Sequence, residues 1–303
     1  MTQYLPEGMG LQSGSFTPDQ LRKACQDGAI LQAPAVVCTQ DHDLLVDLGC
    51  CMGRIPRAET ALGIASGQVR DIAILSRVGK PVSFRVLDLP PGGPALLSRR
   101  LAQEQARSDL FETGRPGDIL PAVVTSLASF GAFCDVGCGV PALLGIEQIS
   151  VSRIRHSRDR FQEDQPIYAV LRSLEPDTLR IQLSHRELLG TWAENAAQFQ
   201  AGQTVTGIVR SIQDYGAFIE LAPNLSGLAE PNFDLHPGDA VSVYIKSILP
   251  DRLKIKLVAL RKLDPSALPP KPLHYFRTAG HLDRWQYGPD SCRKTVSVFT
   301  PAS

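Results

Sequence analysis

The sequence predicts a mainly β protein, made of small five-stranded barrels in tandem and joined by short α-helical connectors. Three observations predict it. The phrase Tyr/Phe-Gly-Ala-Phe occurs twice inside runs that read as β-strand, "SLASFGAFCDV" at 126–136 and "SIQDYGAFIEL" at 211–221, 85 residues apart from Gly131 to Gly216. Each phrase lies in a longer segment, 117–184 and 202–257, with the same order: strand, aromatic-Gly-Ala-Phe strand, short strand, loop, strand, turn, strand. Gly, Pro and Asp separate the short runs, as they do in a small all-β barrel. A repeat of this kind decides the architecture before any single element does.

The elements follow in order. "TPDQLRKACQDG" (17–28) reads as a helix, with Thr17 as cap and Pro18 at the first helical position. A fainter third copy follows it. "DGAILQAPAVVCTQDHDLLVDLGCCMGRIPR" (27–57) aligns its "VDLG" (46–49) with "CDVG" (134–137), and its last strand is "PALLSRR" (94–100), beside "RIQLSHR" (180–186). His42-Asp43-Leu44-Leu45 stands here in place of the aromatic phrase, so the ring pair is missing. "SRRLAQEQARSDLFETG" (98–114) is a second helical connector. "SHRELLGTWAENAAQFQAG" (184–202) is a third, expected to start at a capping box from Ser184 to Glu187 and to run through Leu188, Trp192, Ala196 and Phe199 until Gly202 ends it. Beyond about residue 264 the chain is Pro-rich, "LDPSALPPKPLHYF", and a hairpin is expected around Gly288-Pro289. The expected organisation is a degenerate barrel with its N-terminal helix at 17–100, a barrel at 115–186, a helical linker at 187–201, a barrel at 202–262 and a tail at 263–303.

Composition narrows the function. The chain has 303 residues and 31 basic against 31 acidic side chains. A balanced charge argues against a large positive field, so any polyanion would be held by local patches and stacking. The opening "MTQYLPEGMG" has neither a basic segment nor an apolar one of the secretory kind, and no apolar run reaches the roughly 18 residues of a membrane span. Seven cysteines, odd in number and without C-x-x-C spacing, read as reduced thiols in a cytoplasmic protein. No metal-ligand pairing, P-loop, G-x-S-x-G or carboxylate cluster is present, so no catalytic residues, no metal and no cofactor are expected.

The rings raise the functional question. Under strict alternation Ala132, Cys134 and Val136 share one strand face, and Phe133 shares the other with Asp135. In the later copy Ala217, Ile219 and Leu221 face the core, and Phe218 sides with Glu220. Phe133 and Phe218 are therefore expected to face solvent beside a carboxylate, displayed for a base to stack on; the other reading packs them under a loop or helix. Phe130 and Tyr215 have the wrong parity and reach that face only through a bend at the following glycine. Unpaired bases stack on exposed rings without regard to sequence. Candidate phosphate partners are Arg180, Lys254 and Lys256 on the last strands, Arg210 on the first strand of the later barrel, and Arg153 and Arg155 in "SRIRHSRDRF" (152–161). That loop reads equally as a solvated surface or as packing between barrels.

The pattern "GDILPAVVTSLASFGAFCDVG…LRIQLSHREL" resembles the S1 domain, an RNA-binding barrel of the OB-fold class. With "LLGTWAENAAQF" and "GIVRSIQDYGAFIELAPNLSGLAE" the chain resembles the bacterial ribosomal protein S1 family, in the short form of Gram-positive, clostridium-like bacteria. The resemblance covers about residues 20–262 and is carried by 115–260. It implies an RNA face of two aromatics on the second strand, a His on the third and a basic residue starting the fifth. Phe130, Phe133 and Arg180 take these places in one barrel, and Tyr215, Phe218 and Lys254 in the next. The His place holds Gly145 and Glu230 instead. The implied function is binding of single-stranded RNA, mRNA in particular, in translation, with the small ribosomal subunit as a partner and with no membrane and no small-molecule substrate. The alternative is a scaffold whose barrels hold ribosomal or RNA-processing proteins rather than RNA.

Overall fold

The computed structural model describes residues 4–9, 15–231, 234–264, 273–289 and 295–299. It contains three closed five-stranded barrels. The first is built from β1 (Ile30–Cys38), β2 (Leu44–Asp47), β3 (Met52–Ile55), β4 (Pro81–Asp88) and β5 (Ala95–Ser98). The middle one uses β6 (Ile119–Ala128), β7 (Gly131–Asp135), β8 (Pro141–Gly145), β9 (Pro166–Glu175) and β10 (Arg180–Ser184). The last uses β11 (Thr204–Gln213), β12 (Gly216–Ala222), β13 (Leu225–Ala229), β14 (Ala240–Leu249) and β15 (Lys254–Leu263). All three close in the order first, second, third, fifth, fourth. In each, the third and fifth strands pair in parallel. This is the tandem OB-type architecture that the repeat predicts, and the ring-less first copy closes its barrel as the others do.

Contacts divide the chain into two compact units. One comprises Met1–Gly114, Pro121–Thr125 and Cys134–Ala142; the other comprises Arg115–Leu120, Ser126–Phe133 and Leu143–Ser303. In the first unit, α1 (Pro18–Asp27) is capped by the Thr17 hydroxyl, which accepts from the Gln20 amide at 3.3 Å, and it buries Leu21 and Ala24 against the barrel core of Val46, Ile55, Phe84 and Leu97. After the short α2 (Ile72–Leu75), the helix α3 (Arg99–Thr113) starts at Ser98, whose hydroxyl accepts from the Leu101 amide at 3.0 Å. Its buried Arg99 grips Glu7 with two bonds of 2.7 Å. Asp135 accepts from the Glu7, Gly137 and Gly139 amides at 2.7–2.9 Å. Burial, and next the charge of Glu7, push its carboxyl up to about 7.

In the second unit, the last barrel encloses Val209, Ile219, Val243, Ile255 and Leu257, sealed by Trp192, Trp285 and Tyr287. The connector before it differs from the single helix expected from Ser184. The Ser184 hydroxyl does reach Glu187, but a 3-10 turn, Arg186–Leu189, ends at Gly190 with φ +81°. A Cβ on Gly190 would lie 2.5 Å from the Phe276 ring. The chain therefore restarts as α5 (Trp192–Ala196), with Thr191 and Glu194 forming the capping box. The segment 273–289 packs onto this unit. The Leu282 amide donates to Gly117 at 2.9 Å, and Leu282 and Phe299 bury against Ile119, Val170 and Leu188. His185, wholly buried, holds the Ile149 carbonyl at 2.9 Å through Nδ1 and the Tyr275 hydroxyl at 3.0 Å through Nε2. Nδ1 faces a carbonyl acceptor and carries a proton; with the ring kept neutral by burial, Nε2 accepts from the Tyr275 hydroxyl. Burial pushes its pKa down to about 4. Near the end, β16 (Arg284–Gln286) pairs antiparallel with β17 (Val296–Val298). The Pro-rich stretch 265–272 lies outside the described residues, as do 290–294 of the expected hairpin. Among the described residues no helix is long and apolar enough to cross a membrane.

Candidate nucleic-acid interface

Both aromatic phrases fold into a hairpin whose two-residue turn carries the first ring. Gln213 pairs with Gly216, so Asp214 and Tyr215 form the turn between β11 and β12. Ser129 and Phe130 occupy the same place before β7. Alternation fails for Phe130 and Tyr215 because they are not strand residues. The glycine after each is obligatory. Gly131 has φ +154° and Gly216 φ +148°, and a Cβ there would lie 2.3 Å from the Leu144 carbonyl oxygen and 2.2 Å from that of Ala229. No L side chain fits that backbone against that neighbour.

The result is two matching ring pairs. Phe130 and Phe133 meet edge to face at 6.0 Å and 85°, Tyr215 and Phe218 at 6.2 Å and 88°. The turn rings are the more exposed: Tyr215 is 63% and Phe130 56% accessible, against 38% for Phe133 and a half-buried Phe218. Parity alone expects Phe133 and Phe218 to face solvent; the turn rings prove the more exposed member of each pair.

It also corrects the carboxylates that parity set beside them in solvent. Asp135 and Glu220 are both buried. Glu220 accepts two bonds from Arg160, both 2.9 Å, and two from Arg210, 2.9 and 3.0 Å. Burial alone would raise its pKa, but Arg160 and then Arg210 outweigh it and hold the carboxyl below the ordinary range. Arg210, expected as a phosphate partner, is thus committed elsewhere. It is the extra residue of a β-bulge, since Val209 pairs with Ile219 and Ser211 with Phe218, and the bulge turns its guanidinium onto Glu220.

The other cations lie differently. Arg180 and Lys254 begin the fifth strands and are exposed, as is Lys256. Phe218 pairs with Leu228, and Leu228 with Lys256, so ring, Leu228 and ammonium stem form one row across three strands, about 10 Å wide. Arg153 and Arg155 are exposed on the loop after α4 (Ile146–Ile149). None of these five side chains makes a hydrogen bond or ion pair among the described residues. Gly145 ends β8 and Glu230 is exposed just past β13, so neither supplies the third-strand His. In the first barrel the ring place is a turn at His42, φ +62°, and Asp43 is buried, accepting from Arg54 Nε at 2.7 Å and the Arg57 amide at 2.8 Å.

Beside Tyr215 and Phe218 runs a groove of about 660 Å³, lined also by Ser211, Gln213, Ser226 and Arg153, with Trp192 and Tyr287 at its floor. The organiser next to it, which sequence reasoning missed, is Asn224. Fully buried, it accepts from the Val151 amide at 2.9 Å and donates to the Arg186 and Gly190 carbonyls at 2.7 and 2.8 Å. Its signal in the sequence was the turn "PNLSG", where Asn is common for local reasons that hide such a role.

A closed barrel of this strand order, with paired rings at the start of its second strand, defines an OB-type binding module. The model of the family described as "S1 RNA binding domain" matches residues 114–186, the stretch that holds the middle barrel. Two curated relatives, both named small ribosomal subunit protein bS1, are similar to it. The one from Staphylococcus aureus is 29% identical over 231 residues, 71% of this chain and 57% of that protein. The one from Leuconostoc lactis is 29% identical over 72% of this chain and 54% of that protein. The chain thus spans little more than half the length of these relatives. A solved multidomain protein with nucleic acid binding domains, from Streptococcus pneumoniae, aligns with 77% of this chain and 73% of its own at 12% identity and a TM-score of 0.27.

Proposed function

We propose that this chain binds single-stranded RNA, mRNA in particular, and acts in translation in the cytoplasm beside the small ribosomal subunit, binding without catalysis. The observation that carries the reading is the repetition of an exposed, edge-to-face ring pair at one place in two barrels, each followed by a cation at the start of the fifth strand that makes no ion pair among the described residues. The relatives' name, small ribosomal subunit protein, supports the setting.

Phe130, Phe133, Tyr215 and Phe218 offer π-faces to unpaired bases, each stacked base contributing about 1–3 kcal/mol. Arg180, Lys254, Lys256, Arg153 and Arg155 meet phosphates. Five such contacts on a single strand give a log–log salt slope of about −3.5. Arg210 holds Glu220 and positions the strand rather than touching RNA. With Gly145 and Glu230 at the third strand, each barrel reads RNA weakly, and two in tandem add avidity.

The test is fluorescence anisotropy with single-stranded and duplex RNA at several salt concentrations. Equal binding to both, or none at low salt, ends the proposal. Phe133→Ala with Phe218→Ala, and separately Phe130→Ala with Tyr215→Ala, should each weaken binding at least about fivefold with unchanged circular dichroism. A second reading rests on the first barrel, which lacks the rings and exposes Val36, Val37 and Ile72. It assigns that barrel to protein docking, and partners that survive RNase treatment in a pull-down would support it.

A further inference from the structure

The groove beside Tyr215 is not made by the last barrel alone. Its far wall is the loop Val151–Arg153, which follows the third strand of the middle barrel. Three bonds seat that loop. The Ser152 amide donates to the Pro223 carbonyl at 3.1 Å, the Val151 amide to Asn224 Oδ1 at 2.9 Å, and the Ser152 and Ser226 hydroxyls meet at 2.8 Å. Arg160, further along the same loop, anchors it again through Glu220.

The lining chemistry is uneven in an informative way. Its two charged groups are Arg153 and Arg210, and Arg210 is engaged by Glu220 and, at 3.9 Å, by Asp159. Arg153 is therefore the one lining cation left to meet an anion. The Ser211 hydroxyl and the Gln213 amide make no hydrogen bond among the described residues, although most side-chain polar groups around them do. One side thus offers two rings, the next a donor–acceptor amide and a hydroxyl, and the far side a guanidinium. At about 660 Å³ the groove has the size of a small-ligand site.

We infer that this groove is a nucleotide subsite shared by the two barrels. One unpaired base of single-stranded RNA stacks on Tyr215, its edge is read by Gln213 and Ser211, and the adjoining phosphate is held by Arg153 from the preceding barrel. The inference rests on the RNA-binding reading above and adds a discrete pocket and a cross-barrel contact to it. RNA seated there is steered from the last barrel towards the middle one, and the amide edge gives this position a base preference that the bare ring pairs lack.

The test compares two arginines on one loop. Arg153 lines the groove; Arg155, also exposed and two residues on, does not. Neither makes a bond through its side chain among the described residues, so Arg153→Ala and Arg155→Ala should fold and melt like the parent. Anisotropy with single-stranded hexamers carrying 2-aminopurine at successive positions is read across a salt series on the full chain. Arg153→Ala should lower affinity about five- to tenfold, reduce the salt slope by about 0.7, and abolish the fluorescence change at one register of the hexamer. Arg155→Ala, which removes a phosphate contact outside the groove, should also reduce the salt slope by about 0.7 but leave that fluorescence change intact. Gln213→Ala should alter base preference at that register with the slope unchanged. Loss of that change in both arginine variants or in neither, or no position-dependent signal, overturns the subsite while RNA binding itself stands. Absence of RNA binding by the parent overturns the functional reading instead. Protection of Arg153 by a protein partner but not by RNA would likewise reject a nucleotide as occupant.

Discussion

Replacing Glu220 with Gln puts the buried arginine pair to a direct test. In the parent, one carboxylate with its side chain 6% exposed accepts four bonds from Arg160 and Arg210, whose side chains are 7% and 13% exposed. Glutamine keeps one acceptor oxygen and turns an amide donor toward guanidinium donors. At least two of the four bonds are lost, and two nearly buried cations are left with only the more distant Asp159, 3.9 Å from Arg210, as counter-charge. Breaking a buried ion pair by removing one partner costs about 3–5 kcal/mol, most of it for the charge left behind. That is a large share of the roughly 5–15 kcal/mol that holds a domain folded. Urea unfolding followed through the signal of Trp192 and Trp285 should show a lower midpoint with unchanged slope. Arg160 also tethers the loop that carries Arg153, so RNA affinity should fall as well. If Glu220→Gln costs under about 1 kcal/mol, the pair is not a structural keystone, and Arg210 is free to serve as the phosphate partner it first resembled. Should the variant not fold, Glu220→Asp, which keeps the charge and shortens the reach, should show a smaller loss of the same kind.

Two further outcomes follow from the geometry. Gly216→Ala should destabilise the last barrel by about 2 kcal/mol or more and separate Tyr215 from Phe218, because the new Cβ would lie 2.2 Å from the Ala229 carbonyl at a φ costly for any L residue; thermal melts and RNA affinity should fall together, and an unchanged melt would refute the argument. His185, at about 4 when folded against 6.5 when free, binds fewer protons folded than unfolded. Its contribution is complete above pH 6.5 and is lost as pH falls towards 4, about 3 kcal/mol at the limit. Asp135, held near 7 by burial, binds more protons folded than unfolded and works the other way over the same window, so the readout is NMR titration of the His185 ring in the folded protein: it should stay neutral to about pH 4, and a ring that titrates near 6.5 would contradict a buried neutral imidazole.

Much of the barrel architecture was legible because it is written locally. Period-two burial, turn residues and an 85-residue repeat mark strands and their order without reference to distant contacts. Even the ring-less copy could be placed by "VDLG" and its last strand. The failures share one cause. Alternation tells which residues share a face, but not whether another segment covers that face. Asp135 and Glu220 sit on the outer face by parity, yet Glu7 covers one and Arg160 the other, from 128 and 60 residues away in the chain. Likewise the expected helix from Ser184 breaks at Gly190 because of Phe276, far along the sequence.

By itself, then, the sequence determined a row of OB-type barrels, the place of the ring pairs and the cations that begin the fifth strands, since each depends on neighbours within a few residues. Only the tertiary structure decided which ring is displayed, which arginine is free and which is consumed, and that a loop of one barrel walls the groove of the next. Those outcomes depend on burial and charge pairing between segments distant in sequence, and no local pattern encodes the partner.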